Sequence, residues 1–373
     1  TLGNILGGIV MALHSAQGPR LGLPQMISSR AQFGVVGAIV PLVLVVLMYL
    51  GFASTGTVLS GQAINRMFGI SAPAVGIMVF GALTALVAIV GYRWIHALGR
   101  IATVTGILGW LWLAYKLFTG YDVAAFFAEP HFDVVTFLLA VSLGAGWQLT
   151  YGPYVADYSR YLPADTPGRT TFWATFGGSV LGSSWSMALG ALIASIPKSG
   201  FLKNQVGFIG DLSGGGAIAI VLYLVIVIGK LTVNTLNAYG GSMTMLTTVS
   251  AFQKSAVIPP MLRALWICVF IVASVLVALL ASADFLNNFK NFVLVLLMVF
   301  TPWSAINLVD YYLISRERVD VPALYDASGR YGAWNWPTLA IYVLGVLAQI
   351  PFLAQTMYTG PFTKALGGTD ISW

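Results

Sequence analysis

Lys230 stands inside an apolar run from 216 to 243. An ammonium at that depth costs about 3 kcal/mol or more unless it has a partner or a task, and the middle of the run is too far from either end for the side chain to snorkel. Asn234 and Asn237 follow, three apart on one helical face; carboxamides in such a run either bond to neighbouring helices or read a polar ligand. In an earlier run Trp147, Thr150 and Tyr151 fall at i, i+3 and i+4 and share a face, while Gly146, Gly152 and Pro153 weaken or break the helix around them. Unwound backbone at membrane depth is tolerated where it lines a cavity or is buried in protein, so 133–154 reads as a broken helix beside a site. The competing reading is an aromatic packing stripe with a kink. Asp157 lies just beyond, and Lys230 serves either in ion coupling or in a structural ion pair with it.

Covalent chemistry finds no support. His14, His96 and His131 are scattered without an HExxH spacing, and each reads as a satisfied or interfacial histidine. Cys268 is alone, which leaves no disulfide framework and no Cys/His zinc pattern. Paired carboxylates and a nucleophile with its base are also missing, so an intramembrane enzyme is the weakest of the competing classes. No organic cofactor is called for.

The elements that must hold these residues are membrane helices. Hydrophobic residues make up 58% of the chain, charged residues 8%, and the mean hydropathy is +0.85, against roughly 25% charged residues in soluble domains. Long unbroken apolar runs favour helices over the alternating pattern of a barrel. Ten segments emerge, at 1–18, 34–64, 73–92, 98–118, 133–154, 171–196, 216–243, 263–282, 288–313 and 336–356. The long second one is read as a single tilted span or a span with an interfacial turn. Gly3/Gly7 and Gly178/Gly182 have GxxxG spacing, consistent with close helix packing. Connectors are short, so residues 1–373 form one integral domain.

The net charge of +6 comes from basic residues placed singly or in pairs between apolar runs, which suits orientation in a bilayer and not nucleic acid. Alternate connectors hold eleven of them: Arg20, Arg30, Arg93, Arg100, Arg160, Arg169, Lys254, Arg263, Arg316, Arg318 and Arg330. The other set holds six, Arg66, Lys116, Lys198, Lys203, Lys290 and Lys364. The richer set is expected on the cytoplasmic side of the cell membrane. Thr1 then starts outside, which calls for a preceding helix, and the tail from Gly367 to Trp373 reads as the approach to another; twelve spans are expected of the intact protein.

Several stretches resemble the nucleobase:cation symporter family, the cytosine and purine permeases. Ser15 to Met26, continuing through Ser29-Arg30 to Phe33-Gly34, is similar to the loop between their second and third helices. Trp147, then Tyr151-Gly152-Pro153-Tyr154-Val155-Ala156-Asp157-Tyr158-Ser159-Arg160-Tyr161-Leu162-Pro163, resembles the end of their helix six. Gly229-Lys230-Leu231-Thr232-Val233-Asn234-Thr235-Leu236-Asn237-Ala238-Tyr239 resembles helix eight, and Pro302-Trp303 with Ile306-Asn307-Leu308-Val309-Asp310-Tyr311-Tyr312 resembles helix ten. The resemblance implies an all-α, LeuT-like fold of two inverted five-helix repeats, with this chain holding helices two to eleven of twelve, and a site near the bilayer midplane.

It also implies secondary active import of a nucleobase, cytosine or a purine, by cation symport. The substrate contacts would be Trp147, Thr150, Tyr151, Phe52, Asn234 and Asn237: a flat base presents apolar faces and donor/acceptor edges, and aromatic slabs with amides match both. Where helix three of the family often carries a Trp and an amide one turn later, this chain has Phe52 and Gly56, which leaves other flat heterocycles (allantoin, hydantoin, a thiamine-like pyrimidine) as alternatives. In sodium-coupled relatives the cation sits beside the position of Lys230; with Thr232 and Asp157, Lys230 would form the coupling group, and a resident ammonium favours H+ over Na+. A passive channel is a further alternative, and the oligomeric state stays open.

Overall fold

A computed structural model describes the chain except residues 91, 128–131, 199, 251–258, 357, 369 and 373, and for residues 90, 92–97, 247–250 and 260 it describes the backbone alone. His131 and Lys254 therefore lie outside the described residues, as do the side chains of Arg93 and His96. The long helices are α1 (Leu2–Leu21), α4 (Ile39–Phe68), α5 (Pro73–Val90), α6 (Tyr92–Gly120), α7 (Val134–Leu149) with α8 (Gly152–Ser159), α9 (Gly168–Ala194), α11 (Gly216–Ser250), α12 (Pro260–Ala281), α13 (Phe285–Leu308) and α14 (Trp336–Gln349). Between them lie the short helices α2 (Gln25–Ser28), α3 (Arg30–Phe33), α10 (Gln205–Leu212) and α15 (Pro361–Ala365).

All ten expected segments are helical over most of their length, but the connector expected at 93–100 is itself helical, since α6 begins at Tyr92, and the last segment leaves the α-helix at Gln349; two further corrections have a local reason. The second begins at Ile39 and not at 34, because Gly34 takes a left-handed φ of 86° and the next amides leave the helix direction: Val35 N–H donates to the Gly332 carbonyl at 3.0 Å and Val36 N–H to that of Ala333 at 2.8 Å. The remaining 30 residues rise about 45 Å at 1.5 Å each, one tilted crossing. The second correction concerns apolarity. Among the described residues six helical stretches are long and apolar enough to span a bilayer, the last of which, Met261–Ile314, contains both α12 and α13. The apolar stretches Pro73–Ile89 and Trp336–Phe352 are shorter, and α1 is absent from that group because it is a buried, partly polar helix carrying Asn4, His14 and Gln17 inward.

Lipid offers no hydrophobic drive for helix association, so small residues that allow close contact matter. Gly3 and Gly7 of α1 meet the backbone of Val141 and Ala145 on α7, where any Cβ would collide. Gly178 and Gly182 face open space instead, so their spacing is not a packing motif among the described residues. The main apolar core joins α4, α8, α11, α12 and α13 through Leu42, Met48, Tyr154, Ala238, Phe270 and Trp303.

Two arginines of the richer set tie their connectors to the connector between 309 and 335. Arg20 pairs with Glu317, the Arg30 guanidinium donates to the Leu324 carbonyl at 3.2 Å, and the Ser159 hydroxyl donates to the Ser15 carbonyl at 2.7 Å. At the other end of the bundle residues from 65–73, Asn204 and Ser282–Ala283 surround one crevice.

Candidate functional site

Pro153 lacks the N–H that would continue the helix, and α7 stops four residues before it. The chain crosses the gap with tight bonds: Tyr151 N–H donates to the Gln148 carbonyl at 3.1 Å, and α8 restarts with Val155 N–H on the Tyr151 carbonyl at 2.9 Å. Gly152 at the gap lets the His14 ring approach from α1 and Ser304 from α13, since a Cβ there would stand 3.2 Å from the imidazole. His14 is held on both sides, its Nε2 3.1 Å from the Ser304 hydroxyl and its ring stacked on Trp303 at 4.7 Å. The ring is fully buried and its Nδ1 has no hydrogen-bond partner, so it is neither the interfacial nor the fully satisfied histidine expected.

Above the gap a cavity of about 700 Å³ opens between the broken helix, α4, α10, α11 and the start of α13. Every expected substrate contact lines it: Phe52, Trp147, Thr150, Tyr151, Asn234 and Asn237, together with Lys230. Trp147 remains 39% exposed and is braced edge-on by Phe52 at 5.9 Å, which Phe292 supports in turn at 5.3 Å. That leaves an indole available for stacking against a flat ring. Thr150 is fully buried, its hydroxyl donating to the Trp147 carbonyl at 3.1 Å.

Lys230, Asn234 and Asn237 stand at i, i+4 and i+7 on one stripe of α11. The Asn234 amide donates to the Ala53 carbonyl at 2.8 Å and to the Thr57 hydroxyl at 3.0 Å, which fixes its carboxamide against α4. Its Oδ1 and the Nδ2 of Asn237 are buried without a hydrogen-bond partner. One acceptor and one donor thus go unmet within the protein, on residues one turn apart that line the cavity, each costing about 1–3 kcal/mol.

Two expected residues are not brought into this cavity. Thr232 turns its methyl toward Gly99 of α6 and its hydroxyl donates to the Ile228 carbonyl at 3.0 Å. Asp157 accepts the Gln25 N–H at 2.9 Å. The ion pair between Asp157 and Lys230 is not formed: among the described residues no carboxylate lies within ion-pair distance of Lys230, the one close pair being Arg20 with Glu317. Other wall residues were not foreseen. Gln148 accepts the Ser179 hydroxyl at 2.7 Å and the Tyr154 ring packs at a tilt against Tyr151 at 4.1 Å; both adjoin Trp147 and Tyr151 in sequence, and the buried amide in an apolar run was the available signal. Gln205 and Val206 come from α10, which reads as a polar connector.

A family model for permeases for cytosine/purines, uracil, thiamine and allantoin matches residues 1–373. YxlA of Bacillus subtilis (strain 168), whose name assigns it provisionally to the purine-cytosine permeases, is 40% identical over 372 residues, 100% of this chain and 80% of that protein. The purine-cytosine permease fcyB of Emericella nidulans is 23% identical over 394 residues, covering 99% of this chain and 73% of its own. Among solved structures, the inward-facing conformation of Mhp1 superimposes with a TM-score of 0.75 at 19% identity, over 93% of this chain and 78% of Mhp1. Mhp1, a nucleobase-cation-symport-1 family transporter, closed with bromovinylhydantoin bound, gives 0.72 at 20% identity, over 93% and 79%. At that identity the likeness speaks for the fold, the helical LeuT-like architecture that the motifs implied.

Proposed function

The chain belongs to the family of permeases for cytosine/purines, uracil, thiamine and allantoin, a multi-pass membrane transporter of heterocycles, and from that premise we propose that it imports a nucleobase by secondary active symport with protons. The observation that carries this reading is a stackable indole, Trp147, lining one cavity with the carboxamide residues Asn234 and Asn237. A base edge with adjacent N–H and C=O or ring nitrogen would satisfy both amides while its face lies on the indole. Purines, cytosine and uracil all have such an edge, and allantoin and hydantoins share it, so they remain the competing cargo.

Proton coupling rests on Lys230. It faces the same cavity without an ion-pair partner among the described residues, beside the position where the family's sodium-coupled members hold their cation. An ammonium there repels a second cation, and its own proton is the exchangeable charge. A coupling ion drives uptake only if substrate favours its bound state, and a lysine on the substrate's wall meets that requirement. Uptake into proteoliposomes should be saturable, rise with an inward proton gradient and ignore sodium at fixed pH. Sodium-dependent uptake at fixed pH would overturn proton coupling. Unsaturable flux indifferent to any gradient would instead make the protein a channel.

A further inference from the structure

The walls of the cavity hold one full charge and no opposing one. Its titratable lining groups among the described residues are Lys230 from α11 and Tyr151 and Tyr154 from the broken helix; no Asp, Glu, Arg or His among them lines it. The rest is aromatic, aliphatic or uncharged polar. Lys230 shares its stripe with Asn234 and Asn237, one and two turns away, and all three line the cavity. In such surroundings the field of an ammonium is weakly screened, and any ligand in contact with the amides lies within its reach.

We infer that Lys230 is a specificity residue that contacts the cargo directly, selecting heterocycles that present an oxygen-rich or anionic edge and rejecting those with a fixed positive charge. The inference rests on the reading that this cavity receives the transported heterocycle, and it narrows that reading within the family: oxo-bases such as uracil and hypoxanthine fit, while the thiazolium of thiamine does not. It also gives the coupling a physical form. An oxygen edge binds the protonated lysine better than the neutral one, so cargo and proton load together.

Three pyrimidines of different charge test it on the full chain in lipid nanodiscs: uracil (neutral), 6-carboxyuracil (anion) and thiamine (cation), with binding followed by calorimetry. Hypoxanthine, urate and 7,9-dimethylguaninium form the matching purine series. The wild type should bind the cation at least about tenfold more weakly than the neutral base. Lys230→Met should shrink the anion-over-cation preference by about tenfold or more, and Lys230→Arg should keep it; comparing ratios cancels differences of size. Lys230→Gln serves in place of the methionine variant if that one does not fold. A wild type that binds the cation as tightly as the neutral base, or a neutral variant with an unchanged ratio, overturns the inference. Binding of none of the six, with cytosine, adenine, guanine and allantoin also silent, would instead sink the heterocycle reading of the cavity.

Discussion

Gly56 illustrates how much a single position without a side chain can decide. A Cβ there would drive into the carboxamide of Asn234, the residue held by Ala53 one turn earlier and by the adjacent Thr57. The space that a side chain at 56 would need is occupied by an amide from α11. Asn234→Ala removes one edge reader and should weaken cargo binding about ten- to hundredfold, the equivalent of about 1–3 kcal/mol. Gly56→Ala should do nearly the same by displacing Asn234, and the double variant should lose little more than either alone, since the two act through one contact. Binding titrations that show simple additivity would refute the coupling. The asparagines were legible because amides in an apolar run demand an account. Gly56 was not, since its role depends on a contact 178 residues away in sequence. Spacing also separates 230, 234 and 237 from Thr232, which stands two residues from Lys230 and so on another face; Thr232 entered through family resemblance, and its hydroxyl returns to its own helix.

Among the elements, the broken helix and the helix that backs it depend on close contact. Gly7 of α1 abuts Ala145 and Gln148 of α7, and Gln148 also reaches Asn4 of α1 and Ser179 of α9. Gly7→Val would push α1 off α7 and strain that polar tie, costing about 1–3 kcal/mol as overpacking does. Gly182→Val is the control, because Gly182 faces open space and the added methyls would meet no neighbour. Thermal unfolding in detergent should fall clearly for the first and stay near wild type for the second; equal shifts would contradict the assignment of packing faces. Both pairs have the same GxxxG spacing, so the sequence could not separate them: spacing fixes a shared face but not what that face meets. The break at 150–151 was legible, since Pro153 removes a donor wherever the helix sits. α2, α3 and α10 were not, being only four to eight residues long and tied in by contacts from distant residues, as when Gln25 N–H lands on Asp157.

For the whole molecule, the count of basic connectors divides the chain into two ends, and the contacts made within each end agree with that division. Arg20, Arg30, Ser159, Glu317 and Leu324 meet one another at one end, while Asn65, Arg66, Ser71, Asn204 and Ser282 surround a crevice at the other. The end that holds Arg20 and Arg30, members of the connector set with eleven basic residues in the sequence, should face the cytoplasm, because translocating a short basic loop is disfavoured. Ser71 and Ala327 are exposed at opposite ends. In a Cys268→Ala background, a membrane-impermeant maleimide added to intact cells should therefore label Ser71→Cys and leave Ala327→Cys untouched until the membrane is opened. Cys268 must be removed because it is half-buried and is the chain's single native thiol. Labelling of Ala327→Cys from outside would invert the topology, and with it the direction in which the cavity beside Lys230 loads; equal labelling of both would mean that chains insert in two orientations and that the basic bias does not decide.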